Sequence, residues 1–183
     1  ASAKFTVKDV KQNTSYKFGF HLGVGAKVPI QPNLAFAPSA FYSLKGYNVD
    51  FNRPSQLPDV LAKDNSTSIH TAQLNFLFQV DFKTKPKHMF IRFGPSLDFG
   101  LFGKEKYNTA TGSVSRNMVF SFGDYGIFGA NGELHLGYEK ENNFSIYAAY
   151  SHGIASISNV DEGPKIFHRV FGLTFGKYLT KRL

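Results

Sequence analysis

Residues 71–83 read Thr-Ala-Gln-Leu-Asn-Phe-Leu-Phe-Gln-Val-Asp-Phe-Lys, a long alternation with a period of two. Successive side chains of a strand point to opposite faces of a sheet. One face here carries Ala72, Leu74, Phe76, Phe78, Val80 and Phe82. The other carries Thr71, Gln73, Asn75, Leu77, Gln79, Asp81 and Lys83. The first face is greasy and aromatic, the second almost wholly polar. Which solvent each face meets decides the fold.

The pattern recurs on both sides of this stretch. Residues 16–28 set Phe18, Phe20, Leu22, Val24, Ala26 and Val28 against Lys17, Gly19, His21, Gly23, Gly25 and Lys27. After a turn at 29–33, Leu34, Phe36, Pro38, Ala40, Tyr42 and Leu44 oppose Ala35, Ala37, Ser39, Phe41 and Ser43. Beyond a turn at 84–87, Met89, Ile91, Phe93, Pro95, Leu97, Phe99 and Leu101 oppose Phe90, Arg92, Gly94, Ser96, Asp98 and Gly100. Further strands are read at 126–139, at 144–151 after a turn at 141–143, and at 170–179. Longer polar stretches at 46–66 and 103–117 read as loops, and residues 118–122 as an extension of the sixth strand or a small outer hairpin. Pro38 and Pro95 each remove a ladder donor in mid-strand and predict local bulges.

Seven strands result, joined alternately by short and long connections, as in up-and-down outer-membrane barrels. Closure of such a barrel needs an even count, and Lys4-Phe5-Thr6-Val7-Lys8 alternates correctly. It is expected to pair with the C-terminal strand, with both termini at the short-turn end. The predicted fold is therefore all-β: an eight-stranded antiparallel up-and-down transmembrane β-barrel, with residues 1–183 forming a single domain. Its polar face is rich in Gly, Ser, Ala and Asn, which suits the crowded inside of so small a barrel. The Phe- and Leu-rich face, placed in water, would exceed by roughly tenfold the apolar patch a soluble monomer tolerates. Placed outward in hydrocarbon it is a lipid-facing belt, with Tyr42, Tyr138 and Tyr150 as interface anchors. A soluble lipocalin-like carrier is the competing architecture.

Composition agrees. The chain holds 20 Phe and 9 Tyr, yet no apolar run approaches the roughly 18 residues of a spanning helix, so any crossing must use strands. The absence of cysteine removes disulfides, thiolate metal sites and a cysteine nucleophile. The formal charge of +8 comes without a basic helix face or dense basic run, which argues against nucleic-acid binding. Lys83, Lys85, Lys87, His88, Lys177, Lys181 and Arg182 gather instead toward the short-turn end, where they suit lipid phosphates or plain solvation. The small residues at 1–3 suit a mature terminus from which a signal peptide has been removed.

Charged residues on the inward face form the candidate site. His21, Lys27, Asp81, Arg92, Asp98, Glu133 and His135, with Glu139, are expected to build an internal polar network of structural character, since unpaired buried charges are costly. No catalytic, cofactor or metal site is expected. Ser151 and His152 are adjacent on a strand and so point to opposite faces, poor geometry for a proton relay. The glycines at 23 and 25 lack the following helix that a dinucleotide fingerprint needs.

Several stretches resemble the outer-membrane β-barrel domain of Bacteroidota, the porin-family or PorT-like proteins. They are Gly-Phe-His-Leu-Gly-Val-Gly at 19–25, Phe-Tyr-Ser-Leu-Lys-Gly-Tyr at 41–47, Phe-Gly-Pro at 93–95, Phe-Gly-Asp-Tyr-Gly at 122–126 and Phe-Gly-Leu-Thr-Phe-Gly at 171–176. The resemblance implies a barrel in a Gram-negative outer membrane with a cleaved signal. It brings no catalytic residues, and PorT itself is associated with type IX secretion. The function expected is that of a non-enzymatic structural or accessory subunit of an envelope assembly, in contact with outer-membrane lipid. Partner envelope proteins would be met through the outer loops or the barrel wall. A small pore or transporter, or a lipid-modifying enzyme, are the alternatives.

Overall fold

The computed structural model describes residues 1–141 and 143–179. It is one antiparallel sheet of twelve strands. The long walls are β6 (Leu34–Asp50), β7 (Asp64–Asp81), β8 (His88–Asn108), β10 (Phe128–Glu139), β11 (Phe144–Gly153) and β12 (Lys165–Lys177), each paired with its neighbour in that order. Ahead of them come β1 (Ser2–Val7), β2 (Val10–Lys11), β3 (Asn13–Tyr16), β4 (Phe20–Gly25) and β5 (Val28–Gln31), while β9 (Ser113–Asn117) pairs with β8. Side chains on the outward parity, such as Phe76, Phe78, Phe93, Leu134, Leu136, Leu173 and Phe175, stand exposed. Those on the inward parity, such as Gln73, Asn75, Gln79, Ser96 and Glu133, are buried. The polar face therefore lines the interior and the apolar face is the outer surface.

Three expectations about the strands are corrected. The count is twelve rather than eight, and the ladder does not close. Much of the excess is interruption: β3, β4 and β5 all lie along one partner, β6, and are pieces of one descending pass. The second correction concerns β1. It does pair with β12 (Lys4 opposite Phe167, Thr6 opposite Lys165), but along the half of β12 that follows the 154–164 loop. Ala1 therefore sits part-way down the wall, not at the short-turn end. There it exchanges two backbone bonds of 2.7 Å with Lys17, where the two ends of the sheet meet. The β1–β2 hairpin turns on Lys8 and Asp9, both at positive φ (45° and 61°), the backbone signature of a tight turn matched to strand twist.

Third, neither proline makes a bulge. Register between β6 and β7 is continuous through Pro38, opposite Phe76. Its missing donor faces the other neighbour, where the Ala26 N–H still reaches the Pro38 carbonyl (2.9 Å) and the pass breaks between β4 and β5. At Pro95 the β7–β8 ladder lapses between Asn75–Ser96 and Phe78–Phe93 and resumes in the same register. Gly94 sits in this lapse at φ 153°, where a Cβ would collide with the Phe76 carbonyl. The shifts that do occur are at His70/Thr71 and Pro29/Gln31.

The long loops are shorter than the sequence suggests, because β6, β7 and β8 run on past the apolar belt. Residues 103–117 form the β8–β9 hairpin, with Thr109 N–H bonded to the Gly112 carbonyl (2.8 Å) at its tip. Residues 118–122 neither extend the sixth strand nor stand out as a hairpin. Met118 and Phe120 fold back against Gly103 and Gly100 and help to fill the mouth. That mouth has an apolar core of Ala3, Phe5, Val7, Tyr47, Val49, Leu57, Ile69, Met118, Tyr125 and Ile166.

Candidate functional site

Alternation aims the inward residues of facing strands at one another, so the interior fills in layers. Nearest the short turns, Lys27 Nζ lies 2.7 Å from Asp81 Oδ2 and 3.2 Å from Glu139 Oε2. Gln79 donates to Glu139 (3.0 Å) and accepts from Arg92 Nε (2.6 Å). The Tyr178 hydroxyl donates to Glu139 (2.6 Å) and receives Arg92 (3.1 Å). Two carboxylates are thus faced by two permanent cations. That compensation is what allows Glu139 to be fully buried.

At mid-wall, Glu133 accepts from Gln73 (2.9 Å) and Ser96 (2.8 Å), with His135 Nε2 at 3.5 Å. His135 stacks on Tyr147, ring centroids 4.9 Å apart. One layer further toward the mouth, Lys45 Nζ lies 2.8 Å from both oxygens of Asp98, which also accepts from Asn131 (2.8 Å). In the mouth, Glu105 is buried and accepts from Asn65 (2.9 Å), Arg116 (2.9 Å) and the Tyr125 hydroxyl. Burial pushes the Tyr125 hydroxyl well above its usual pKa, so it is held as a donor to that carboxylate. Burial also raises Asp124, against the opposing pull of Arg116.

The structure brings Lys27, Asp81 and Arg92 into one cluster, Glu133 and His135 into a second, and gives Asp98 to a third. His21 stands apart, at the seam between β4 and β12, where its Nε2 meets Thr174 Oγ1 (2.8 Å). Sequence reading put Gln79 and Tyr178 on the polar face without naming them in the network, missed Lys45, Glu105 and Arg116, and misplaced His88. Inward parity after Ser43 signalled Lys45. His88 is not among the surface cations: it is buried, with Nε2 3.1 Å from Asp81 and 3.3 Å from Glu139. Lys181 and Arg182 lie outside the described residues. Among the described residues, Asp81, His88 and Glu139 present donor atoms within 4.8 Å of one another, the spacing a metal ion needs. Lys27 already occupies that space, so a dication would have to displace an ammonium ion. Ser151 is buried inside, whereas His152 is exposed and bonded to the Tyr150 hydroxyl (2.8 Å), so the pair cannot act as a relay.

Between residues 19–25 and 170–177 the wall is open. A cavity of about 770 Å³ enters there, apolar at its lip (Phe20, Leu173) and polar in its depth (His21, Glu133, His135, Thr174).

A wall with hydrocarbon-compatible side chains outside and neutralised polar layers inside defines a transmembrane β-barrel. The chain belongs to the outer membrane protein β-barrel domain family, whose model matches residues 2–159. Membership points to the bacterial outer membrane. No curated protein and no solved structure matches the chain.

Proposed function

We propose that this barrel is a non-enzymatic accessory subunit of an envelope assembly, held in outer-membrane lipid and working through its outer mouth and lateral wall rather than through its lumen. The observation that carries this reading is the layering of the interior. Side chains of non-adjacent strands bond within it at three levels: Lys27–Glu139 joins opposite sides, and Gln73–Glu133 and Lys45–Asp98 each reach past one intervening strand. Small barrels are filled by side chains in this way, and diffusion through them is blocked. The likeness to PorT-like barrels of Bacteroidota supports an assembly role of this kind, with a secretion machine as the envelope complex it would serve.

Single-channel recording in planar bilayers tests the reading. The purified barrel is expected to stay closed, and Arg92→Ala and Glu133→Ala, which thin the two lower layers, to flicker open at most. A reproducible open state in the unaltered protein would instead make it a pore. Blue-native electrophoresis of mildly solubilised outer membranes tests the other half: the barrel should migrate well above its own 20.4 kDa plus detergent.

A further inference from the structure

The layer nearest the short turns holds a histidine that its hydrogen bonds do not account for. His88 opens β8 on the inward parity and stands directly opposite Glu139 of β10. It is only 7% exposed, and its ring is fixed by Nδ1, 2.7 Å from the Lys85 carbonyl oxygen. A carbonyl only accepts, so Nδ1 carries the proton and the neutral ring keeps its lone pair on Nε2. That atom is buried 3.1 Å from Asp81 Oδ1 and 3.3 Å from Glu139 Oε2. Neither oxygen lies where an N–H on Nε2 could bond to it, and among the described residues Nε2 makes no hydrogen bond. Lys27 offsets the charge of the two carboxylates but gives Nε2 nothing. A buried lone pair aimed between two anions is costly.

Spacing and orientation suit a metal ion at that meeting point. Zinc bonds of about 2.0–2.1 Å at tetrahedral angles hold neighbouring ligand atoms about 3.3 Å apart. The two distances from Nε2 match that edge, and the three donor atoms all lie within 4.8 Å of one another. Each ligand is also braced from behind, as metal ligands generally are. The Lys85 carbonyl orients the imidazole. Tyr178 and Gln79 bond to Glu139 through Oε1, so that Oε2 is the oxygen facing His88. Gln79 also donates to Asp81. One imidazole with two carboxylates suits zinc or a similar first-row dication, whereas calcium and magnesium take oxygen ligands.

Lys27 is the competitor for this place. Its ammonium group lies 3.2 Å from Glu139 Oε2 but only 2.7 Å from Asp81 Oδ2, the carboxylate oxygen that a metal at Oδ1 would leave to it. Lys27 falls in the break between β4 and β5, and its side chain is 19% exposed. It therefore has room to withdraw, and its withdrawal opens the path by which an ion would enter.

We propose that Asp81, His88 and Glu139 form a binding site for a first-row dication such as zinc, with water as the fourth ligand, and that the ion exchanges with the Lys27 ammonium group at Glu139. Bound there, it ties β7, β8 and β10 together at the short-turn end. The site replaces the expectation of no metal centre, and it stands independently of the accessory-subunit reading.

The probes are Zn²⁺ and Co²⁺, offered to the folded barrel in lipid nanodiscs after treatment with a chelator and its removal. The chain has no cysteine, so thiolates cannot compete for the ion. The unaltered barrel should take one Zn²⁺ per chain from a zinc-binding dye, and Co²⁺ in its place should show the strong visible absorption of a four-coordinate ion. Lys27→Met removes the competitor and should tighten Zn²⁺ binding at least about tenfold, while His88→Gln or Asp81→Asn should weaken it by at least as much. The heat-dependent gel-mobility shift verifies that each variant folds. Zn²⁺ should raise the temperature of that shift in the unaltered barrel and in Lys27→Met, but not in either ligand variant. No Zn²⁺ binding by the unaltered barrel or by Lys27→Met overturns the proposal. So does binding that both ligand variants leave unchanged, since the ion would then sit on an exposed side chain such as His152. Equal affinity in the unaltered barrel and Lys27→Met overturns the exchange.

Discussion

Along β6 the same inward parity serves two different interiors. At membrane level the strand sends Ala37, Ser39 and Ser43 inward and Phe36, Tyr42 and Leu44 outward. Past Lys45 the chemistry inverts: Tyr47 and Val49 are buried and Asn48 and Asp50 face out. β7 and β8 repeat the inversion, with Ile69 inward and Ser66, Lys104 and Lys106 outward. Between the two regions lies an aromatic band, where Tyr42 bonds to His70 and His70 stacks on Phe102 at 4.2 Å. The membrane half is a hydrocarbon-solvated wall around a polar filling. The mouth is built like a soluble domain, an apolar core under a polar skin. Solvent explains the difference: hydrophobic burial needs water outside, and it is available only to the mouth.

Breaking the polar filling should have the largest effect. Glu139→Ala removes the buried carboxylate that Lys27 and Arg92 share and should cost about 3–5 kcal/mol. Urea unfolding in vesicles, or the temperature of the gel-mobility shift between folded and unfolded barrel, would register it. Phe5→Ala opens a cavity in the mouth core and should cost about 3 kcal/mol, while Phe76→Ala, whose ring already faces outward at 40% exposure, should cost clearly less. Equal losses from the two phenylalanines would erase the distinction between the regions.

Leu134→Arg puts a charge on the outer wall and should cost about 2–4 kcal/mol, whereas Ser115→Arg on the exposed β9 should stay within about 0.5 kcal/mol. Both are read from the same unfolding curves. A milder disruption sharpens the mouth alone. Tyr125→Phe removes the donor to buried Glu105 but leaves Asn65 and Arg116 in place, and should cost about 1–2 kcal/mol.

Much of the wall was legible because alternation is local. Residues 71–83 carry their own two faces, and the belt from Phe76 to Phe82 requires no knowledge of neighbours. Lys27, Asp81 and Arg92 could be assigned to the interior for the same reason. Glu139, the carboxylate that Lys27 and Arg92 share, could be assigned too, but not the bonds among these residues, which span up to 112 residues in the Lys27–Glu139 pair. His88 looked like one more surface cation because it follows three lysines, and only the register of Glu139 opposite it turned it inward. The mouth was read as loop because its strands are polar outside and short of apolar residues overall. Their pairing with β9, and the folding back of Met118 and Phe120, depend on contacts far along the chain.

The amino-acid sequence by itself determined the two-faced strand, the membrane as its solvent, and the polar character of what the strands enclose. These follow from side-chain direction and transfer free energy, both properties of a few consecutive residues. The tertiary structure alone decided which charges neutralise each other and where β1 sits. It also decided that His88 turns its Nε2 between Asp81 and Glu139. Register and closure are relations between distant segments, and a repeat of two residues carries no record of them.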